Sequence, residues 1–333
     1  MIIEGFFLET IEGFIFDVKG VVHPPDRVIA YLRYFPDPRG ERERGGVRFR
    51  KVYSLEERER ILRDRKPDYL YFDHVFGMEV EGVPKGDIAK VYDPRERLSR
   101  LLVRGERSRL EEAAAFLSTR IAEEAGVPIG SIGVSGSLLV SMERPSSDVD
   151  IVVFGKRNCW RAYEAMKNLV CSEGDIRVYG EEELRRLYEF RSKDTLIGYE
   201  DFARCERRKY MSGVVKSCDF FLRFVKYPDE YGEVYGERLY RHVGYALVEG
   251  VVADASDAIF TPCSYILDDV KVLEGARFPV REVVSFRGRF SDQAREGEKV
   301  MARGKVERVK SEGEEWFRLV VGGRREDFLI VKW

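Results

Sequence analysis

The sequence has few of the residues that build disulfide frameworks, zinc sites or membrane spans. Its five cysteines include no Cys-x-x-Cys pair, and its three histidines lie far apart along the chain. A zinc site is therefore not expected. The apolar runs are short and interrupted, so the sequence predicts no membrane-spanning helix. An odd number of cysteines without a secretory signal predicts reduced thiols and a cytoplasmic location.

Side-chain amides are almost absent from the chain. It has one glutamine, Gln293, and two asparagines, Asn158 and Asn168, whereas 35% of its residues are charged. Few thermolabile amides combined with many ion-pairing residues predict a protein that works at high temperature. The net charge of -2 argues against attraction of the whole protein to nucleic acid, although local basic patches remain open.

The most informative stretch is GVSGSLLVSMERPSSDVDIVVFG, residues 133 to 155. A Gly-Ser pair, Gly136 and Ser137, is followed after ten residues by Asp148 and Asp150 at the head of an apolar strand. Successive side chains of a strand point to opposite faces, so the two aspartates share one face. Crowded carboxylates resist ionising together unless a cation lies between them. Oxygen ligands at this spacing suit Mg²⁺, with Mn²⁺ as a substitute.

This arrangement resembles the signature of the polymerase-beta-like nucleotidyltransferase superfamily, in which a Gly-Ser turn precedes an Asp-x-Asp strand at about this distance. The resemblance implies that Asp148 and Asp150 are catalytic metal ligands and that Gly136 and Ser137 hold the phosphates of a nucleoside triphosphate (NTP) such as ATP. A turn of this kind can do so because glycine lets backbone N–H groups approach a phosphate.

The same resemblance implies a third catalytic and metal-binding carboxylate on a later strand. Asp219, within the run KSCDFFLRFV, is favoured because apolar residues flank it. Asp175, within EGDIRVY, is the alternative, in a shorter and more polar context.

A basic segment just upstream of Asp219 is a candidate for phosphate binding. Arg208 and Lys209 could neutralise charge on the transferred phosphate, since guanidinium and ammonium groups bind its oxygens. An equally good interpretation is a basic helix end that complements the helix dipole. The sequence leaves both interpretations open.

Taken as a whole, the chain looks like uncharacterised archaeal proteins that carry a nucleotidyltransferase domain between extra terminal regions. The predicted fold class is α+β with three domains. Residues 1–104 form an N-terminal mixed α/β region, and residues 105–238 form the nucleotidyltransferase domain, a mixed sheet with flanking helices. Residues 239–333 consist of short strands punctuated by glycine, which predict a small antiparallel β-barrel that is OB-like.

The predicted function is Mg²⁺-dependent transfer of a nucleoside monophosphate from an NTP to an acceptor hydroxyl, such as an RNA 3′ end. A barrel of the predicted kind can bind single strands. A basic N-terminal cluster could bind a nucleic-acid backbone, or it could be a solvated face paired with glutamates; its members are Arg42, Arg44, Arg48, Arg50 and Lys51. The alternatives are a non-catalytic nucleotide- or RNA-binding module and a structural partner in a nucleic-acid processing complex. No membrane partner is expected, and the oligomeric state is left open.

Overall fold

The computed structural model of the protein describes residues 1–172 and 174–332. Over these residues the chain is α+β, with three sheets and eight α-helices. No helix within the described residues combines the length and the apolar character that crossing a membrane requires.

Short strands dominate the first hundred residues. Helix α1 is capped at its start, because the Ser54 hydroxyl accepts a hydrogen bond from the Glu57 backbone N–H at 3.1 Å. The elements are β1 (Phe7–Thr10), β2 (Ile15–Val18), β3 (Arg27–Pro36), β4 (Arg42–Arg44), β5 (Val47–Lys51), α1 (Leu55–Arg65), β6 (Leu70–Asp73), β7 (Met78–Pro84), β8 (Ile88–Tyr92) and α2 (Pro94–Val103).

These strands form one sheet in the order β4-β5-β3-β2-β1-β8, and β7 joins β6 to β3. One face carries a buried apolar cluster that includes Phe16, Leu32 and Phe35. The same cluster takes in Val152 and Val225 from the middle of the chain. The N-terminal sheet therefore shares its core with the segment that bears the Asp-x-Asp motif.

The middle of the chain supplies the second sheet and most of the helices. Helix α3 has a capping box in which the Ser108 hydroxyl and the Glu111 carboxylate each accept a backbone N–H of the other residue. The elements are α3 (Arg109–Ala125), β9 (Ile132–Val134), α4 (Gly136–Leu139), β10 (Val149–Phe154), α5 (Lys156–Ser172), β11 (Ile176–Arg177), α6 (Glu181–Arg191), α7 (Tyr199–Glu206), β12 (Ser212–Val215), β13 (Cys218–Val225) and α8 (Pro228–Tyr231).

The second sheet has the order β11-β12-β13-β10-β9. Its central pair, β10 and β13, runs parallel, and β10 runs antiparallel to β9. Val149, Ile151 and Val153 lie on one face of β10 and are fully buried. The predicted buried strand is therefore present.

The described part of the last hundred residues forms a third sheet, in which three strands of 16, 13 and 13 residues are longer than the short strands predicted. Its strands are β14 (Leu239–Asp254), β15 (Cys263–Gly275), β16 (Val280–Ser285), β17 (Lys299–Ser311), β18 (Glu314–Val320) and β19 (Phe328–Val331). The first five pair in a closed cycle, β14-β15-β16-β18-β17-β14, in which only β16 and β18 run parallel. Strand β19 adds to β17 outside this cycle.

The described chain divides into two compact units rather than three. The first contains residues 1–73, 79–177 and 213–235, and the second contains residues 74–78, 178–212 and 236–333. The predicted boundary after residue 104 has no counterpart in this division, because the N-terminal and middle sheets share a core. The predicted boundary after residue 238 lies three residues beyond Tyr235, where the first unit ends.

Candidate active site

The aspartate pair lies at the start of β10. Asp150 is the second residue of this strand and Asp148 directly precedes it, so alternation places both on the face opposite Val149 and Ile151. Asp148 is exposed and Asp150 is half-buried. The two carboxylates therefore share one face, and the inner one is partly withdrawn from water.

The Gly-Ser turn is in direct contact with this pair. A Cβ atom on Gly136 would lie 1.9 Å from Oδ2 of Asp150, and Gly136 has a φ of +62°. The turn is fixed to the strand because the Ser135 backbone N–H donates to the Asp150 carbonyl at 2.8 Å. Ser137 is buried, and its carbonyl accepts a hydrogen bond from the Met142 N–H. Only glycine fits at position 136, because any side chain would displace the Asp150 carboxylate.

Asp219 lies on the neighbouring strand. Val149 of β10 pairs with Phe220 of β13, so Asp219 precedes its paired residue just as Asp148 does. Asp219 lies four residues before Arg223 in β13, so alternation places both side chains on one face. This is the face that carries Asp148 and Asp150, and Asp219 is exposed there. Within residues 1–172 and 174–332, no group of three or more His, Cys, Asp or Glu side chains is arranged to hold a metal ion.

The alternative third carboxylate, Asp175, lies farther away in the sheet. It precedes β11, which β12 and β13 separate from β10. Its backbone carbonyl accepts the Lys216 N–H at 2.9 Å, and the residue is exposed. Strand order therefore favours Asp219 over Asp175 as a neighbour of the pair.

The N-terminal sheet brings cations to the aspartates, which the sequence did not predict. Lys51 ends β5 and pairs with Tyr34 of β3, and Arg33 precedes Tyr34. The charges of Arg33 and Lys51 both act on the Asp150 carboxyl group. A signal was present in the sequence, since Arg33 interrupts the apolar strand IAYLRYF. The sequence did not indicate that this strand would face β10.

Arginine side chains join the N-terminal sheet to the loop before Asp148. Nη1 of Arg42 donates to the Met142 carbonyl at 2.8 Å, and Arg144 donates to the Glu41 carbonyl. Other members of the predicted basic cluster pair within the sheet: Arg44 with Glu9, and Arg50 with Asp37. These contacts favour the paired-face interpretation of the cluster, with Lys51 as the member that reaches the site.

The pKa of the Asp150 carboxyl group is raised well above its usual range. Burial, and then the charge of Asp148, raise the pKa of Asp150 to about 7, against the opposing effect of nearby cations. On the other side, burial and the charge of Arg33 lower the pKa of Lys51 to about 8. In the part of the chain that the structure describes, none of Asp148, Asp150, Arg33 or Lys51 forms an ion pair. The two carboxylates and the two cations therefore influence one another without direct contact.

Arg223 is the buried cation beneath this group. It follows Asp219 on the same face of β13, and its Nη1 lies 2.7 Å from Glu4 Oε1 and 3.7 Å from Asp17 Oδ1. Although burial disfavours its charge, the carboxylates of Glu4, Asp17 and Asp150 raise the pKa of Arg223. Arg223 is therefore a fixed positive charge that ties β13 to the N-terminal sheet.

Asp150 makes the stability of the metal-free protein depend on pH. Its pKa is near 7 when folded and near 3.8 when unfolded, so it is protonated in both states below pH 4. Between pH 4 and 7 the unfolded chain ionises Asp150 while the folded protein keeps it protonated, so the free energy of unfolding falls across this range and changes little above pH 7. We expect Asp150→Asn, with EDTA present, to unfold with a free energy roughly 1–3 kcal/mol above wild type at pH 8 and equal to it near pH 4. Urea melts at both pH values measure this; a difference independent of pH would contradict it.

Arg208 and Lys209 lie in the second unit, where both are engaged by carboxylates. Nη2 of Arg208 is 2.6 Å from Glu298, and Nζ of Lys209 is 2.7 Å from Glu206. The Lys209 side chain is only 4% exposed, and it also donates to the Arg289 carbonyl. These contacts favour the structural interpretation of the pair.

We expect Lys209→Met to destabilise the second unit by about 2–4 kcal/mol, because it leaves the buried Glu206 with one cation fewer. Urea unfolding measures the loss, and affinity for NTP should be unchanged. Loss of NTP affinity with normal stability would instead support phosphate binding by Lys209.

Comparison with known proteins gives one informative relative. No known family profile matches the chain, and no solved structure matches it. The chain is 33% identical over 332 residues to a protein of Methanocaldococcus jannaschii named "Uncharacterized protein MJ1086", covering 97% of this chain and 96% of that protein. Identity at this level along the whole length shows common descent, so the chain belongs to the same family as this archaeal protein.

Proposed function

We propose that the protein is a Mg²⁺-dependent nucleotidyltransferase that transfers a nucleoside monophosphate from an NTP to an acceptor hydroxyl. One observation carries the proposal. The half-buried Asp150 carboxyl group lies against Gly136 and beside Asp148, and cations face it without pairing with it. A site that keeps both charge signs apart suits a ligand that brings a metal cation and phosphate anions together.

The residues present fit a hard divalent cation. Asp148 and Asp150 offer only oxygen donors, and the raised pKa of Asp150 marks a carboxyl group that a cation would stabilise as carboxylate. When bound, Mg²⁺ lowers the pKa of an attacking hydroxyl and offsets charge on the phosphates. Asp148 and Asp150 would hold it, and Asp219, on the adjacent strand of the same face, would complete the set once a substrate is bound.

The backbone around Gly136 would accommodate the phosphates. With no Cβ at this position, a phosphate can come close to the main chain of the turn. Because Ser135 and Ser137 hold the turn to the strand and to the Met142 backbone, it needs little reorganisation when substrate binds. Such preorganisation is the main means by which a phosphoryl-transfer site accelerates the reaction.

We propose RNA as the acceptor, with the C-terminal strands as its binding domain. The five-stranded cycle with one parallel pair supports the assignment of an OB-like barrel, and such barrels bind single strands. Four aromatic side chains of this region differ in exposure: Phe260, Tyr265 and Phe290 are buried, whereas Phe286 is 41% exposed. Phe286 is therefore the better placed of the four to contact a base.

A second candidate function is a non-catalytic nucleotide- or RNA-binding module. The observation that favours it is that the described residues include no group of three side chains arranged around a metal. In this alternative the pair and the turn would bind a nucleotide without transferring it. The Asp219→Asn variant separates the two candidates, since it would lower turnover in an enzyme but leave binding in a module nearly unchanged.

The test is incubation of the purified protein with each α-labelled NTP, Mg²⁺ or Mn²⁺ and total RNA from its source. The proposal predicts labelled RNA and release of pyrophosphate, both abolished by EDTA. NTP binding without release of pyrophosphate under any of these conditions would favour the binding module. Absence of NTP binding would refute the enzyme and the nucleotide-binding module, and would leave RNA binding alone.

A further inference from the structure

Two neighbouring cations of the N-terminal sheet form no ion pair with any residue that the structure describes. Arg33 and Lys51 lie on adjacent strands, where the Val52 N–H donates to the Arg33 carbonyl at 2.9 Å. Both side chains are half-buried, and among the described residues neither takes part in an ion pair. Many other arginines of this unit do pair, for example Arg44 with Glu9 and Arg63 with Glu79.

Two like charges on adjacent strands repel one another in the free protein. Burial, and then the charge of Arg33, lower the pKa of Lys51, although the charges of Asp148 and Asp150 act in the opposite direction. An anion bound between the two cations would offset their repulsion. Half-buried cations that form no ion pair with a described residue are typical of a phosphate site rather than of a structural ion network.

An exposed aromatic ring lies beside Lys51. Tyr53 is 62% exposed, and Nζ of Lys51 lies 5.0 Å from the centre of its ring. The buried neighbour Val52 fixes the chain immediately before it. A large ring left in solvent beside two cations offers a stacking surface for a planar base.

We infer that Arg33 and Lys51 bind the phosphates of the NTP and that Tyr53 stacks on its base. The inference rests on the proposed function and assigns the substrate's position within it. The triphosphate lies between the N-terminal sheet and the β10 aspartates, and the base lies toward solvent at the end of β5. The N-terminal sheet is thus one wall of the active site.

The experiment measures binding of ATP and of inorganic tripolyphosphate to the full chain by calorimetry, without an acceptor. Lys51→Ala should weaken both ligands about tenfold or more, because each loses a charged contact. Tyr53→Ala should weaken ATP roughly five- to tenfold and leave tripolyphosphate unchanged, because only ATP has a base to stack. Tyr53→Phe should bind both ligands like wild type.

The matched control for Lys51 is Arg48→Ala. Arg48 lies on the same strand with its side chain on the opposite face, and it is exposed. The Arg48→Ala change removes one positive charge, as Lys51→Ala does. It should leave the affinities for ATP and tripolyphosphate unchanged, apart from a small effect of net charge. Circular dichroism verifies the fold of each variant, and Lys51→Gln replaces Lys51→Ala if the alanine variant does not fold.

Dependence on pH provides a second readout. The charged groups that act on Lys51 are Arg33, Arg42, Asp148 and Asp150, and with burial they leave its pKa at about 8. ATP affinity of wild type should fall as the pH rises from 7 to 9, since Lys51 loses its proton. ATP affinity of Lys51→Arg should fall less than that of wild type across this range, because only the ionisation of Asp150 then changes the charge of the site.

The outcomes separate this inference from the proposed function. Lys51→Ala and Tyr53→Ala variants that bind both ligands like wild type would overturn the inference, and NTP turnover in wild type would then leave the proposed function standing. Wild type that binds neither ATP nor tripolyphosphate would overturn both. Selective loss of ATP in Tyr53→Ala, with loss of both ligands in Lys51→Ala, supports the assignment.

Discussion

Asp150→Asn is expected to lower the rate of NTP turnover by about 10³-fold or more, without unfolding the protein. The change keeps the shape of the side chain but removes the charge of the inner carboxylate, which lies against Gly136 and beside Asp148. A lost metal ligand removes several kcal/mol of transition-state stabilisation, which corresponds to this factor. Release of pyrophosphate at saturating NTP and Mg²⁺ measures the effect.

The matched control is Asp175→Asn. Asp175 is an exposed aspartate of the same sheet, separated from β10 by two strands, so its loss should leave turnover unchanged. Equal turnover in Asp150→Asn and wild type would show that the pair is not the reaction centre. A loss in Asp175→Asn matching that in Asp150→Asn would show that the third carboxylate had been assigned to the wrong strand.

Gly136→Ala is expected to disable the site through shape rather than charge. The added methyl group would lie 1.9 Å from Oδ2 and 2.8 Å from Cγ of Asp150, so the carboxylate or the turn must move. Positive φ adds a backbone cost. We expect a loss of about 2–4 kcal/mol in unfolding free energy and a fall of at least 10²-fold in turnover. Urea melts and pyrophosphate release measure the two effects.

Gly45→Ala separates the two causes of this effect. Gly45 has a similar φ of +57°, but an added Cβ there would meet nothing within 4 Å. Backbone strain alone should cost about 1 kcal/mol at this position and leave turnover intact. If both alanine variants lost the same stability and kept full turnover, close contact between the turn and Asp150 would have no functional role.

The local features of the site could be predicted from the sequence because each depends on near neighbours. The alternation of DVDIVV places Asp148 and Asp150 on one face and leaves the other face apolar. The Ser108 capping box and the cap of α1 by Ser54 follow from side chains three residues apart. The C-terminal region consists of strands, as its glycine-punctuated apolar runs predict, but β14, β15 and β17 are longer than predicted and β16 pairs in parallel with β18.

The rest depends on packing between segments that lie far apart in the chain. Nothing within IAYLRYF shows that Arg33 would face a strand more than a hundred residues later, nor that Val152 and Val225 would join the core around Phe16. The sequence did single out a basic cluster, but it does not show that Arg44 and Arg50 would pair with Glu9 and Asp37 while Lys51 forms no ion pair with a described residue. The pairing of Arg208 could not be predicted either, because its partner Glu298 is remote in sequence.

Binding of Mn²⁺, followed by electron paramagnetic resonance, is the most direct test of the claim that Asp148 and Asp150 hold a divalent cation. In the presence of NTP, wild type should bind Mn²⁺ saturably, and the NTP-dependent site should be lost in Asp150→Asn while Asp175→Asn keeps it. Identical Mn²⁺ binding in wild type and Asp150→Asn would contradict the account.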